Sequence, residues 1–420
     1  MTLHPILAAL KKHKAGVTLI TLQIALTLAI VCNAVFIIGQ RVERVNRPSG
    51  LDENNLFVIE QAWVGAPTGD DPASIEKLDA MQRSDLTTLR QLPDVDSAAS
   101  VSSMPLLNSS WTGGVGLKPD QQHSTAHAFY YFGSDQMLKT LGLRLIAGRN
   151  FAPDEIQHRG FRNVGEPPII IVTKTLADQL FPKGDALGKT VYLDGNAVPS
   201  TIIGIVERLQ GPSVGSWSND FAFNSVLQPT RIDFQYTRTA VRAKPGRLDA
   251  AMREARKALY DANPMRVIDG ELDQGLGVHP FGEVRKRAYR ADVGMAILMS
   301  VICAILLCVT GAGIVGLTSF WVGQRRKQIG IRRALGATQR DILRYFQTEN
   351  LMIAGVGVVL GAILAVGLNL WLMKQFSMDR MSLLYVLVGV AALLVLGQGA
   401  VFAPALRASR VSPVEATRSV

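Results

Sequence analysis

A chain of 420 residues, 48% hydrophobic and 19% charged with 38 glycines, has room for two or three domains and the composition of a membrane protein. Its formal charge of +10 would ordinarily point to nucleic acid, but residues 41–290 hold 29 basic and 29 acidic side chains, so the excess lies wholly beside apolar runs. It amounts to +3 before the first run, +6 between Gln324 and Gln347 and +2 from Ala405 onward, the bias of cytoplasmic loops, and only Tyr345 and Phe346 interleave the basic cluster, too few for a nucleic-acid stacking platform.

Four charge-free stretches, Ala15–Gln40, Val293–Val322, Leu351–Met373 and Met381–Leu406, are each long enough to cross a hydrocarbon core of about 30 Å as a helix. The second would run about 45 Å at about 1.5 Å per residue and is expected to project beyond the bilayer. The polar interruptions Gln23, Asn33, Asn369 and Gln398 read as interhelical hydrogen-bonding groups. The first stretch is too long for the apolar region of a signal peptide and no cleavage site follows it, so it reads as an uncleaved anchor.

The positive-inside rule then gives the order of the chain. Residues 1–14 form a cytoplasmic N-terminus, 15–40 the first span, 41–290 an extracytoplasmic domain and 291–323 the second span. A cytoplasmic loop follows at 324–347, the third span at 348–373, an outer hairpin at 374–380, the fourth span at 381–404 and a cytoplasmic tail at 405–420. Arg285, Lys286, Arg287 and Arg290 fall on the wrong side for this rule, and a second-span helix extended outward would hold them clear of the membrane. The three cysteines, Cys32, Cys303 and Cys308, all lie in spans, so the outer domain has to be stabilised by an ordinary core.

Alternation and turn signals in that domain predict a strand at Leu56–Gln61, a helix at Ser74–Gln91 and a strand at Val95–Met104. A similar order recurs as a strand at Asp233–Ala243, an amphipathic helix at Arg247–Ala262 and a strand at Met265–Asp269. Two βαβ units flanking an insertion give a split α+β architecture. The insertion holds Leu141–Phe151, a strand at Pro168–Val172 with a helix to Leu180, and a hairpin turning at Asp194-Gly195 into Ser200–Ile205. The fold class expected is thus four transmembrane α-helices plus a large α+β extracytoplasmic domain.

Three constellations invite a chemical reading. Gly184-Asp-Ala-Leu-Gly188-Lys189-Thr190 looks like a phosphate loop, but that motif needs four residues between its glycines, and a turn before a strand at Thr190–Leu193 is the simpler reading. His123 and His127 could share a face and bind zinc, yet no third ligand is near in sequence. No nucleophile elbow accompanies the Ser, His and Asp residues. The sequence therefore predicts no catalytic residue, cofactor or metal on this chain.

The most informative stretch is Arg325-Arg326-Lys327-Gln328-Ile329-Gly330-Ile331-Arg332-Arg333-Ala334-Leu335-Gly336-Ala337-Thr338. Ile329, Arg332 and Arg333 follow helical spacing, Gly336 is a helix stop, and Thr338 with Asp341 offers a new N-cap. By the residues alone this is either a short docking helix or a solvated linker attracted to anionic lipid. It resembles the hallmark of the FtsX-type ABC permease family, which includes MacB-like and lipoprotein-releasing subunits. The likeness extends through Arg340-Asp341-Ile342-Leu343-Arg344 and Glu349-Asn350-Leu351 into a glycine-bearing span, and to the tail Ser412-Pro413-Val414-Glu415-Ala416. Leu141–Phe151 and Leu180–Thr190 resemble recurring segments of MacB-like outer domains.

The resemblance implies a non-catalytic, multi-pass inner-membrane permease with both termini cytoplasmic, paired with a second permease, identical or paralogous. Two copies of a separate ABC ATPase would carry ATP and Mg and dock on the coupling helix, at Gln328 through Thr338. Ile331, Leu335 and Ala337 would make the contact and Arg332 and Arg333 would orient the helix. MacB-like systems imply mechanotransmission that drives export or efflux, with a periplasmic adaptor and an outer-membrane duct as further partners. The alternatives are an FtsX-like regulator of cell-wall hydrolases that transports nothing, and a ligand-binding membrane sensor. Gln328 stands where the family usually has Glu, which removes one charge available to an ATPase contact.

Overall fold

The computed structural model describes residues 14–109, 111–162, 164–376 and 380–410. The N-terminal lysines Lys11 and Lys12, the middle of the 374–380 hairpin and the Ser412–Ala416 tail lie outside the described residues. The chain divides into a helical unit, residues 1–45 with 291–420, and a second unit of residues 46–290.

The helical unit contains α1 (Lys14–Val45), α7 (Arg290–Gln324), α8 (Arg326–Ala334), α9 (Gln339–Phe376) and α10 (Leu383–Ser409). All of these except α8 are long and apolar enough to cross a membrane. α9 packs along α1 and α10, and the approach of α9 to α1 is close because the third span carries glycine there. A Cβ on Gly361 would sit 2.8 Å from both the Ala25 carbonyl oxygen and Leu28 Cβ, the kind of backbone proximity that drives packing where lipid supplies no hydrophobic force. All four polar interruptions bond between helices or turns. Gln23 Nε2 donates to the Val309 carbonyl at 3.1 Å, Asn33 Nδ2 to the Ala365 carbonyl at 3.0 Å, and Gln398 Nε2 to the Gln347 carbonyl at 3.4 Å, while Asn369 Oδ1 accepts from the Met381 amide at 3.1 Å. Thr27 and Thr310 add a hydroxyl pair at 2.8 Å between α1 and α7.

The second unit has two layers of architecture. Its base holds β1 (Leu56–Trp63), α2 (Pro72–Arg90), β2 (Val95–Ser100), β12 (Tyr236–Ala243), α5 (Leu248–Ala262), β13 (Arg266–Val267) and β14 (Gly277–Pro280). β1 and β2 both run antiparallel to β12, which lies between them, and β13 and β14 share the other edge of β1. Each βαβ unit is therefore split by a strand of the other, as the sequence order suggested. α2 starts where Asp71 accepts from the Ser74 amide at 3.0 Å with Pro72 at the first helical position, a favourable helix start. α5 buries Ala251, Ala255 and Leu259, a single stripe of four-residue spacing.

The insertion contains β3 (Trp111–Gly116), β4 (Ala126–Phe132), α3 (Met137–Leu141), β5 (Leu145–Gly148), β6 (Gln157–Gly160), β7 (Ile169–Thr173), α4 (Lys174–Leu180), β8 (Thr190–Leu193), β9 (Pro199–Val206), β10 (Ser225–Gln228) and β11 (Thr230–Asp233). Its main sheet runs β5-β9-β7-β10-β4-β3-β8, and β8 also pairs with β9. The ring from β9 round to β8 thus closes on itself, which removes exposed edges. The β8–β9 hairpin turns at Asp194 (φ 53°) and Gly195 (φ 73°), two left-handed residues of the sort a tight hairpin needs. β6 and β11 form a separate parallel ribbon.

Several expected boundaries shift. The strand expected to reach Met104 ends at Ser100 and is followed by a loop with Leu106 and Asn108 at positive φ. The strand expected over Met265–Asp269 shrinks to Arg266–Val267 because Pro264 precedes it and the Arg266 guanidinium turns inward to a buried carboxylate, Asp85, at 2.8 and 3.0 Å. The strand expected from Asp233 is two strands, β11 and β12, with Phe234 and Gln235 between them. The second span does not extend outward as one helix: α6 (Phe281–Ala288) is a separate element and the break falls at Tyr289. Arg285 and Arg287 are instead held within their own unit, Arg285 by Glu53 at 2.7 Å and Arg287 by Asp273 at 2.7 Å.

Candidate functional site

α7 ends at Gln324 and α8 begins at Arg326, so Arg325 is the hinge between them. Its guanidinium is buried and donates to both oxygens of Glu349, at 3.0 and 2.9 Å, from Nη1. Glu349 is itself buried on α9. An ion pair of this kind fixes geometry, because either charge left alone at low dielectric would be costly. Nothing in the spacing of Arg325 and Glu349, 24 residues apart across a turn, marks them as partners. The legible hint is one acid at the head of an otherwise apolar run.

α8 is anchored from beneath by Ile329, 5% exposed, in the same apolar cluster as Ile342, Tyr345 and Phe346 of α9. Arg332 lays its guanidinium 4.9 Å from the centre of the Tyr345 ring, a cation–π contact that orients the arginine. The helix then stops as its sequence requires. The Ala337 amide bonds the Arg332 carbonyl at 3.0 Å and the Gly336 amide bonds the Arg333 carbonyl at 3.1 Å, with Gly336 at φ 96°, a left-handed residue closing a Schellman motif. Thr338 and Asp341 form a reciprocal capping box at the start of α9. The Thr338 amide donates to Asp341 Oδ2 at 3.0 Å and the Asp341 amide to Thr338 Oγ1 at 3.2 Å. The Thr338 hydroxyl, donating to Asp341 Oδ2 at 2.6 Å, and then the Thr338 amide hold the Asp341 carboxyl below its ordinary range.

Between the two caps the loop has two faces. Ile329 and Gly330 are buried, while Gln328, Ile331, Arg332, Ala334, Leu335, Gly336 and Thr338 are exposed and Arg333 and Ala337 are half-buried. Leu335 stands out at 83% exposed and Ile331 at 48%, an apolar pair left uncovered among basic residues. The site has no nucleophile, general base or ligand set, so its chemistry is that of a docking surface.

At the other end of the spans Asp292 of α7 accepts from Arg41 at 2.5 Å and Arg44 at 3.4 Å, both on α1. This clamp joins the helix that enters residues 46–290 to the one that leaves them. Its sequence mark is the placement of both arginines and the aspartate just outside apolar runs.

The other sequence candidates separate. Gly184–Lys189 is a loop leading into β8 with Lys189 paired to Asp185 at 3.3 Å; a phosphate loop would lead into a helix. His127 lies on β4 and His123 in the loop before it, and neither belongs to the candidate metal cluster found among the described residues.

Two family models match. The FtsX-like permease C-terminal domain covers residues 300–413 and the MacB-like periplasmic core domain covers residues 17–258, more than half of the chain. The chain is 25% identical over 433 aligned positions to a macrolide export ATP-binding/permease protein, MacB 2, of Aeromonas hydrophila, covering 99% of this chain and 59% of that protein. It is 26% identical to the ABC transporter permease YvrN of Bacillus subtilis, covering 69% of each. The periplasmic region of MacB from Actinobacillus actinomycetemcomitans aligns with a TM-score of 0.34 and 15% identity, over 58% of this chain and 97% of that one. The chain spans 59% and 41% of the length of two MacB relatives it matches. Four apolar helices together with these matches indicate a protein of the bacterial inner membrane. The chain belongs to the FtsX-type ABC transporter permease family, with a MacB-like periplasmic core domain.

Proposed function

We propose that this chain is a mechanotransmitting permease: a separate ATPase subunit docks on α8, and closure of two such subunits on ATP drives α1 and α7, which lead into the periplasmic domain. The observation that carries this reading is the exposed Ile331–Leu335 surface on a helix held rigidly from behind by Ile329 and by the Arg325–Glu349 pair. A helix free to tilt could not pass a displacement to the spans. The Asp292 clamp with Arg41 and Arg44 makes α1 and α7 move as one at their far ends. The second permease has a surface available on α7, whose Ile297, Leu298, Val301 and Ile305 no part of the described chain covers. ATP and Mg belong to the partner in this scheme. The names of the MacB relatives, macrolide exporters, support export as the output, with an adaptor and a duct as partners in Gram-negative cells.

The scheme is tested by co-expressing the chain with an ABC ATPase subunit from the same genome and purifying the membrane complex. Two ATPase copies per permease pair should co-purify, with turnover above that of the ATPase alone. If no ABC ATPase associates and turnover is unchanged, the chain works without one. Orientation has its own test. In a variant lacking Cys32, Cys303 and Cys308, a cysteine replacing the exposed Lys118 should react with an impermeant thiol reagent in intact spheroplasts, and one replacing the exposed Gln339 should not. The opposite pattern would invert the topology.

A further inference from the structure

Away from the spans, the parallel ribbon of β6 and β11 lies against α2 in the base of the periplasmic domain. Register sets His158 of β6 opposite Arg231, and Gly160 opposite Asp233 of β11. His158 Nδ1, a carboxylate oxygen of Asp233 and one of Asp79 on α2 all lie within 4.8 Å of one another. Asp233 is 1% exposed. Its Oδ1 accepts from Gln82 Nε2 at 3.0 Å, but its Oδ2, 3.4 Å from His158 Nδ1, is buried and makes no hydrogen bond.

A buried carboxylate oxygen without a donor requires explanation, since such atoms are nearly always satisfied. Asp79 beside it takes its own bonds from Arg231 and Arg83, and the His158 ring faces the open Asp233 oxygen.

We propose that His158, Asp233 and Asp79 bind a divalent transition ion of the zinc class. Ligands about 2.0–2.1 Å from zinc stand about 3.4 Å apart at the corners of a tetrahedron, which is the separation of His158 Nδ1 and Asp233 Oδ2. Imidazole with two carboxylates suits zinc or cobalt better than calcium or magnesium, which favour oxygen donors alone. The surroundings supply what a ligand set needs. Gln82 orients Asp233 through its other oxygen, and Arg231 Nε holds Asp79 Oδ1 at 2.7 Å, an outer shell that aims the first. Arg83, paired with Asp79 Oδ2 at 2.7 Å but with 55% of its side chain exposed, can yield that oxygen to a metal. His158 is on the solvent side with 41% of its side chain exposed, which gives the ion a way in and leaves a fourth position for water. Bound there, the ion pins the β6–β11 ribbon to α2, tying the barrel-bearing insertion to the base of the same unit.

The test uses the full-length chain in detergent, with any affinity tag removed and metals stripped by a chelator. Cobalt(II) should bind one equivalent with the strong visible absorption of a tetrahedral site, and zinc should displace it. His158→Ala and Asp233→Asn, neither of which empties a packed core, should each weaken cobalt binding more than about tenfold, while a His123→Ala/His127→Ala variant should bind as wild type does. Zinc should also raise the unfolding temperature of wild type but not of His158→Ala. Absence of a saturable tetrahedral signal in wild type, or its persistence in both His158→Ala and Asp233→Asn, would overturn the assignment.

Discussion

If an ABC ATPase docks on α8 as proposed, replacing Leu335 with Asp is expected to weaken that docking by roughly thirtyfold, about 2 kcal/mol, the loss common when a central apolar anchor is removed from an interface. The substitution touches little within the chain, because Leu335 is 83% exposed, so folding of the permease should be unaffected and the defect should be confined to association. Arg332→Ala/Arg333→Ala removes the guanidinium stacked on Tyr345 and a half-buried neighbour and should lower stimulation of the ATPase more than its binding, as an arm that docks but no longer pushes. Gly336→Pro should be the harshest, since Gly336 sits at φ 96° where proline cannot, and its amide bond to Arg333 would go too. Association and ATPase turnover are measured in nanodiscs. Normal values for all three variants would show that the loop is a lipid-facing linker with no docking role.

The features legible in the sequence were those set by local chemistry. Apolar length gave the spans, and charge asymmetry gave the expected sides. Gly336 and the Thr338–Asp341 pair gave the end of α8 and the start of α9, because a left-handed stop and a capping box are each complete within about six residues. The split βαβ base was visible because β1 opens as a short apolar run, β12 partly alternates, and α2 and α5 carry helical spacing. Closure of the insertion was not: it depends on β8 pairing with both β3 and β9, and nothing in Thr190–Leu193 records a partner some 75 residues earlier. β3, with Gly113 and Gly114 at its centre, lacks the alternation that marks a strand. The ribbon of β6 and β11 was hidden for the same reason, and with it the cluster of His158, Asp233 and Asp79. His158 and Asp233 are about 75 positions apart and are brought together by the parallel pairing of β6 and β11, and Asp79 joins them because α2 packs against that ribbon. The sequence offered His123 and His127, four positions apart, as its zinc candidate, with no third ligand near them. Long-range ion pairs share this property, for Arg266 finds Asp85 and Arg325 finds Glu349 through tertiary packing.

Cutting the second of these pairs should have the largest effect on the helical unit itself. Glu349→Ala leaves the Arg325 guanidinium buried beside Trp321 and Tyr345 without the carboxylate that both Nη1 bonds reach, and breaking such a pair from one side costs about 3–5 kcal/mol. For a body of this size each kcal/mol moves the unfolding midpoint by about 2–4 °C, so a drop on the order of 10 °C is expected in detergent. A paired replacement, Arg325→Met with Glu349→Leu, removes both charges and should recover most of that stability, because well-packed apolar residues often match a buried ion pair. Function should separate from stability at this point. The apolar pair lacks the two directed bonds that set the angle between α7 and α8, so the double variant should fold and bind ATPase but stimulate it poorly. Wild-type stimulation in the double variant would show that the ion pair serves folding alone, and a Glu349→Ala midpoint within about 2 °C of wild type would show that water or another group already satisfies Arg325.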